Sequence, residues 1–111
     1  MKRIVIKIGS NVLTRPDGTL DVTRISSLVD QVQAIRADGA QVLLVSSGAV
    51  ACGRSLLGRK GHKLDPVEQR QLYSAVGQVQ LIGLYSRLFK DWNTTIGQVL
   101  TMKESFSTRR E

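Results

Sequence analysis

The residues best suited to chemistry stand at the ends of two short apolar segments. Ile4–Ile8 is β-branched apart from Lys7, and Gly9-Ser10 follows it directly. A second apolar segment, Gln41–Ser46, ends in the same way at Ser47-Gly48-Ala49. Such runs are typical of strands in parallel sheets, which are buried on both faces and bind ligands beyond their carboxyl ends. A lysine and two turns rich in N–H groups therefore predict a site for a negatively charged group.

Each of these features also has an ordinary structural explanation. A lysine at a strand end commonly extends its ammonium group to solvent, although a buried ammonium would need an anionic partner. The Gly9-Ser10 turn directly after Lys7 favours the functional interpretation. Ser47-Gly48-Ala49 by itself would be only a tight connection between a strand and a helix. Two such turns on strands that are predicted to be neighbours favour a shared binding site.

Composition limits the class of protein. The 111 residues, 41% apolar and 23% charged, are typical of one soluble globular domain. No apolar run approaches the roughly 20 residues of a membrane span. The single cysteine, Cys52, excludes an internal disulfide framework and a cysteine-based zinc cluster, suits a reducing cytoplasm, and is interpreted as a core residue. His62 has no suitably spaced partner, so no metal site is predicted there.

The net charge of +7 is compatible with two kinds of partner. Basic proteins bind nucleic acid, and they also attract small anions. The basic residues are scattered, with one denser patch from Arg59 to Lys63 that contains no aromatic residue. A small anionic substrate is therefore favoured over nucleic acid.

Local signals define the elements that hold the two turns. Arg15-Pro16-Asp17-Gly18 predicts a chain reversal, Asp21 or Thr23 predicts the cap of a helix, and Gly39 predicts its end. Strand, helix and strand form a βαβ unit. A short helix is predicted from Ala49 to Leu57.

A long helix is predicted from Asp65-Pro66-Val67-Glu68, a capping sequence, to about Asp91. Its predicted buried stripe is Ala75, Val79, Ile82, Tyr85, Phe89 and Trp92, with Leu72, Val76 and Leu88 beside it. Gly77 and Gly83 each cost up to about 1 kcal/mol relative to alanine, which close approach of another backbone would justify. Asn93 is expected to end the helix. Gly58–Leu64 is predicted as a mobile loop, Thr95–Met102 as a third strand, and the polar tail after it as the start of an unfinished element.

Four sequence blocks resemble the amino acid kinase family. They are Lys7–Thr14, Val45–Arg54, Ser74–Gln78 and Ile96–Leu100. The resemblance covers essentially the whole chain in order. The last two blocks narrow it to the member of the family that phosphorylates the γ-carboxylate of L-glutamate, the first step of proline synthesis.

This resemblance implies a three-layer αβα sandwich around a mostly parallel sheet, Mg-ATP as phosphoryl donor and a homo-oligomer. It implies roles for six residues: Lys7 as the catalytic contact to the ATP phosphates, Gly9 and Ser10 in the first phosphate turn, Gly48 and Ala49 in the second, and Ser47 in holding glutamate. No catalytic base is needed, because a γ-carboxylate with a pKa near 4.3 is already ionised at neutral pH.

The resemblance also implies that residues 1–111 are the N-terminal, substrate-side part of a kinase domain. The nucleotide-binding half would then lie outside this chain, which by itself is expected to be inactive. Three alternatives remain at this point. The protein could be a family member acting on another acid or a nucleoside monophosphate, a non-catalytic anion- or RNA-binding module, or a fragment whose unfinished sheet pairs with a second copy.

Overall fold

The computed structural model of the chain describes residues 2–58 and 63–99. The elements in chain order are β1 (Arg3–Ile8), α1 (Ser10–Leu13), α2 (Val22–Ala37), β2 (Gln41–Ser46), α3 (Ala49–Leu57) and α4 (Pro66–Lys90). β1 and β2 pair in parallel, from Arg3 opposite Gln41 to Ile8 opposite Ser46. The predicted βαβ unit is therefore confirmed. The mixed α/β architecture with a parallel sheet agrees with an incomplete αβα sandwich.

Only one face of the two-stranded sheet is covered. Ile8 is buried and belongs to the core, whose other members come from α1, α2 and α4. On the opposite face Val5 is 65% exposed and Leu43 is 54% exposed. The prediction that the strands are buried on both faces is thus wrong for the described residues. A parallel sheet needs a layer of helices on each side, and the described helices that contribute to this core supply one layer.

The turn before α2 and both ends of that helix form as predicted. The Gly18 N–H donates to the Arg15 carbonyl over 2.8 Å, which closes the chain reversal. Asp21 is the cap, and its carboxylate accepts a hydrogen bond from the Arg24 N–H at 3.1 Å. At the other end Gly39 has a φ of 95°, a left-handed conformation that suits glycine.

The predicted limits of α4 are also confirmed. The Asp65 carboxylate accepts from the Glu68 N–H at 2.8 Å, and Pro66 occupies the first turn. The helix ends at Lys90, after which Asn93 takes a φ of 58°. The Thr94 N–H returns to the Phe89 carbonyl at 3.0 Å, which satisfies one of the last carbonyls of the helix.

The buried stripe of α4 differs from the predicted one. Its buried residues are Tyr73, Gly77, Leu81, Leu84, Tyr85 and Phe89. Tyr85 and Phe89 are confirmed, and Leu72, Val76, Ile82 and Leu88 are half-buried. Ala75, Val79 and Trp92 are exposed, the last two by 66% and 53%. The prediction left glycine out of the buried stripe, whereas the first half of α4 packs against α3 through Gly77, which rotates the buried face.

Close backbone contact explains one of the two glycines in α4. A Cβ atom on Gly77 would overlap the Ala49 carbonyl group, and one on Gly53 of α3 would overlap the Tyr73 carbonyl group. The two helices therefore cross with their backbones in contact, as the sequence suggested for Gly77. A Cβ on Gly83 would meet nothing within 4 Å. Nothing in the structure explains glycine at that position.

The predicted third strand is wrong for residues 95–99, which have no regular secondary structure. Ile96 packs against the core, but a groove of about 730 Å³ is lined both by this segment and by β2. The sheet of the described residues contains only β1 and β2, so residues 95–99 form no ladder with β2. The remainder of that predicted strand, the polar tail, and residues 59–62 of the predicted loop, including His62, lie outside the described residues. Within residues 2–58 and 63–99, no helix is both long enough and apolar enough to cross a membrane.

Candidate functional site

The two predicted turns meet at one edge of the sheet. Because β1 and β2 are parallel neighbours, both carboxyl ends point the same way. The Ser47 N–H donates to the Ile8 carbonyl oxygen at 2.9 Å, which joins the two strand ends. A Cβ atom on Gly48 would lie 3.7 Å from the Cα of Ser10. The structure therefore brings the Gly9-Ser10 turn and the Ser47-Gly48-Ala49 turn into contact.

The second turn depends on glycine. Gly48 has a φ of 103° and directly precedes α3. A side chain would have room there, since the nearest atoms are at 3.7 Å, but an L-residue would strain the backbone. Ala49 is the first residue of α3, and the N–H groups of a first helical turn have no acceptor within the helix. These N–H groups can bind a negatively charged oxygen.

The first turn contains a short helix that the sequence did not predict. α1 has only four residues, and Leu13 within it is fully buried. Thr14 closes it, with its N–H and its Oγ1 both donating to the Ser10 carbonyl at 2.9 and 2.8 Å. The signal was a pair of adjacent apolar residues, Val12 and Leu13, which is too short to show a period.

Lys7 lies on the open face of the sheet and is exposed. It stands opposite Val45 in the strand register. Side chains alternate between the two faces of a strand, so Lys7 shares its face with Val45, two residues before Ser47. Ser47 is also exposed. The contact of the Lys7 ammonium group with a phosphate stays a prediction.

One residue near the turns was predicted only as part of the core. Tyr85 of α4 is buried, and its hydroxyl lies 3.1 Å from the Oγ of Ser46, the last residue of β2. Burial raises the pKa of the Tyr85 phenol, and the hydrogen bond with Ser46 opposes that shift. Helical spacing identified Tyr85 as buried, but it gave no indication of where the hydroxyl points.

The donor set of the two turns fits phosphate better than a metal ion. A lysine and main-chain N–H groups are cationic or hydrogen-bond donors, which are the groups that hold phosphate oxygens. In the part of the chain that the structure describes, no three His, Cys, Asp or Glu residues lie close enough together to hold a metal. Cys52, 4% exposed, is a core residue as predicted, and burial raises the pKa of its thiol.

Comparison with known proteins defines the class. The sequence model of the amino acid kinase family matches residues 2–111. The chain therefore belongs to the amino acid kinase family.

The relatives narrow this class further. The chain is 58% identical over 108 residues to a glutamate 5-kinase of Bacteroides thetaiotaomicron, a match that covers 97% of this chain and 30% of that protein. It is 43% identical to the glutamate 5-kinase of Chlorobaculum tepidum over 98% of its length, and 41% identical to that of Geobacter sulfurreducens over 98%. The chain spans about 30% of the length of these relatives.

Proposed function

We propose that this chain is part of a glutamate 5-kinase, which transfers a phosphoryl group from ATP to the γ-carboxylate of L-glutamate and forms glutamyl 5-phosphate. The observation that carries the proposal is the contact between the two turns, joined by the hydrogen bond from Ser47 to Ile8. The names of the relatives support it over another kinase of the family and over an RNA-binding module.

The proposed mechanism is electrostatic. Glutamate enters with its γ-carboxylate ionised, so no residue has to remove a proton. Lys7 neutralises charge on the ATP phosphates, as the catalytic contact of this chain. The N–H groups of the two turns, Gly9-Ser10 and Gly48-Ala49, hold the phosphoryl oxygens, and Ser47 binds glutamate. Fixed donors of this kind stabilise the charge that develops during phosphoryl transfer.

ATP supplies the phosphoryl group when it is bound, and Mg²⁺ enters with the nucleotide. We propose that residues 1–111 form the substrate-side part of the kinase domain and that the nucleotide-binding half is supplied by further sequence. The relatives' length supports this division, since the match covers only about 30% of each. We further propose that the enzyme acts in the cytoplasm and that it forms a homo-oligomer. Light scattering on the full-length protein would measure its oligomeric state.

The function is tested by assaying ADP release from the full-length protein with four substrates: glutamate, aspartate, N-acetylglutamate and UMP. Glutamate alone should support rapid release, and hydroxylamine should trap the acyl phosphate product. Preference for another of these substrates would replace glutamate but keep the kinase class. Failure with all of them, together with tight RNA binding that weakens steeply with salt, would support the RNA-binding alternative.

A further inference from the structure

A single buried hydroxyl links the core of the protein to the second turn. Tyr85 is 5% exposed and lies on the face of α4 that packs against the sheet. Its hydroxyl and the Ser46 Oγ are 3.1 Å apart, and both residues line the groove beside β2. Ser46 is the last residue of β2, so the residue after it begins the second turn.

Tyr85 is held rigidly enough to act as a fixed reference point. Its ring stacks on that of Phe89, with centroids 6.4 Å apart and planes inclined by 30°. Both residues belong to the main core cluster. A packed aromatic ring has only two side-chain torsions to fix, so its hydroxyl keeps one position.

The orientation of Ser46 determines which way the second turn faces. Successive side chains of a strand point to opposite faces. With Ser46 directed towards α4, Val45 is directed to the open face, where Lys7 also lies, and Ser47, the residue after β2, is exposed. A rotation of the strand end would reorient the second turn and would weaken the hydrogen bond from the Ser47 N–H to the Ile8 carbonyl.

We propose that Tyr85 is a positioning residue for phosphoryl transfer: through Ser46, its hydroxyl fixes the end of β2 so that Ser47 and Gly48 face the substrate. This inference rests on the proposed function. It assigns to Tyr85 no contact with glutamate or ATP. It adds to the site a residue 37 positions beyond Gly48 in the sequence, which no local motif contains.

The test compares the steady-state kinetics of full-length variants in which the hydroxyls of Tyr85 and Ser46 are removed separately and together. Tyr85→Phe and Ser46→Ala should each lower kcat/KM for glutamate roughly three- to tenfold, the range expected for one hydrogen bond. The double variant should lose little more than either single variant, because both remove the same interaction. Ser46→Thr, which keeps a hydroxyl, should restore most of the activity.

Tyr73→Phe is the matched control. Tyr73 is another buried tyrosine of α4, 4% exposed, and its ring lies under the Arg54 guanidinium rather than beside β2. The Tyr73→Phe substitution should leave kcat/KM for glutamate unchanged. If Tyr85→Phe lowers only the unfolding temperature and leaves kcat/KM at the Tyr73→Phe level, the hydroxyl is merely structural and the inference is wrong.

A second measurement does not depend on activity. Hydrogen exchange of peptides that span residues 46–49 should be faster in Tyr85→Phe than in Tyr73→Phe, because the Ser47 N–H loses its fixed position. Faster exchange in a protein that proves inactive on glutamate would show that the Tyr85 hydroxyl orders the second turn, but it would overturn the proposed function and with it any part of Tyr85 in phosphoryl transfer. Unchanged exchange would overturn the inference whether or not the protein is a kinase.

Discussion

At the scale of single residues, the candidate site is built from main-chain groups more than from side chains. Gly48 supplies a left-handed backbone, with a φ of 103°, and Ser47 an N–H that ties two strands together. The sequence predicted the turn that contains both residues, because a small-residue break after an apolar strand is a local signal, but it predicted neither the φ of Gly48 nor the hydrogen bond of Ser47. The role of Tyr85 was not predictable, because the contact with Ser46 joins residues 39 positions apart.

The strongest prediction at this scale concerns Lys7. Lys7→Ala in the full-length protein is expected to lower kcat at least about 100-fold, a loss of about 3 kcal/mol of transition-state stabilisation. Arg3→Ala is the matched control, since Arg3 lies on the same face of β1 at its other end and hydrogen-bonds Gln41 at 3.1 Å. Stopped-time assays of ADP release measure kcat for both variants. A kcat for Lys7→Ala within a few-fold of the wild-type value would remove Lys7 from the mechanism.

At the scale of elements, the ends of helices were predicted better than their faces. The caps at Asp21 and Asp65 are encoded within four residues. The face that α4 buries depends on its neighbours, and Val79 is exposed because the helix rotates to bring Gly77 against α3. The prediction of a third strand was wrong for a related reason. A strand forms only where a neighbouring backbone completes its hydrogen-bond ladder, and the sequence of one segment does not show whether that neighbour is present.

The two glycines of α4 provide a matched pair. Gly77→Ala should destabilise the protein by at least about 2 kcal/mol, because the new methyl group would overlap the Ala49 carbonyl. Gly83→Ala, with no atom within 4 Å of the new Cβ, should stabilise it by up to about 1 kcal/mol. Urea unfolding followed by circular dichroism measures both. Equal effects of the two substitutions would contradict the backbone contact between α3 and α4.

The cap of α4 should give a pH-dependent effect. Hydrogen bonding from Glu68 lowers the pKa of Asp65 below its ordinary value of 3.8. A carboxylate with a lowered pKa in the folded state stabilises above its unfolded pKa, and that contribution is lost as the pH falls through the folded value. Asp65→Ala should therefore lower the melting temperature at pH 7.

This decrease should shrink below pH 4, as the carboxylate of the parent protein becomes protonated. Asp65→Asn, which keeps a capping oxygen but lacks the charge, should melt between Asp65→Ala and the parent protein at pH 7. Differential scanning calorimetry at several pH values makes the comparison. A decrease for Asp65→Ala that is independent of pH would show that the charge of the cap contributes nothing.

At the scale of the whole molecule, the open face of the sheet is the main departure from the predicted sandwich. The exposed fractions are 65% for Val5, 54% for Leu43 and 46% for Val45. The sequence indicated buried strands because their residues are apolar. It could not indicate that only one of the two covering layers lies within residues 2–58 and 63–99.

This face predicts self-association when the 111-residue chain is produced by itself, because adjoining exposed apolar side chains favour contact with another surface. Leu43→Lys should raise the monomer fraction in multi-angle light scattering. Val79→Lys, at a residue that is 66% exposed on α4, should not. A monodisperse monomer at high concentration before any substitution would contradict the prediction.

The backbone contact between α3 and α4 has a consequence for observing the protein at work. Helices whose backbones touch at glycine cannot slide independently, so a displacement of Ala49 would also displace α4 near Gly77. Trp92, the only tryptophan in the 111-residue sequence, follows the C-terminal end of α4, and its indole N–H donates to Asp30 at 3.2 Å. If a displacement at Ala49 reaches the C-terminal end of α4, we expect the fluorescence of Trp92 to change.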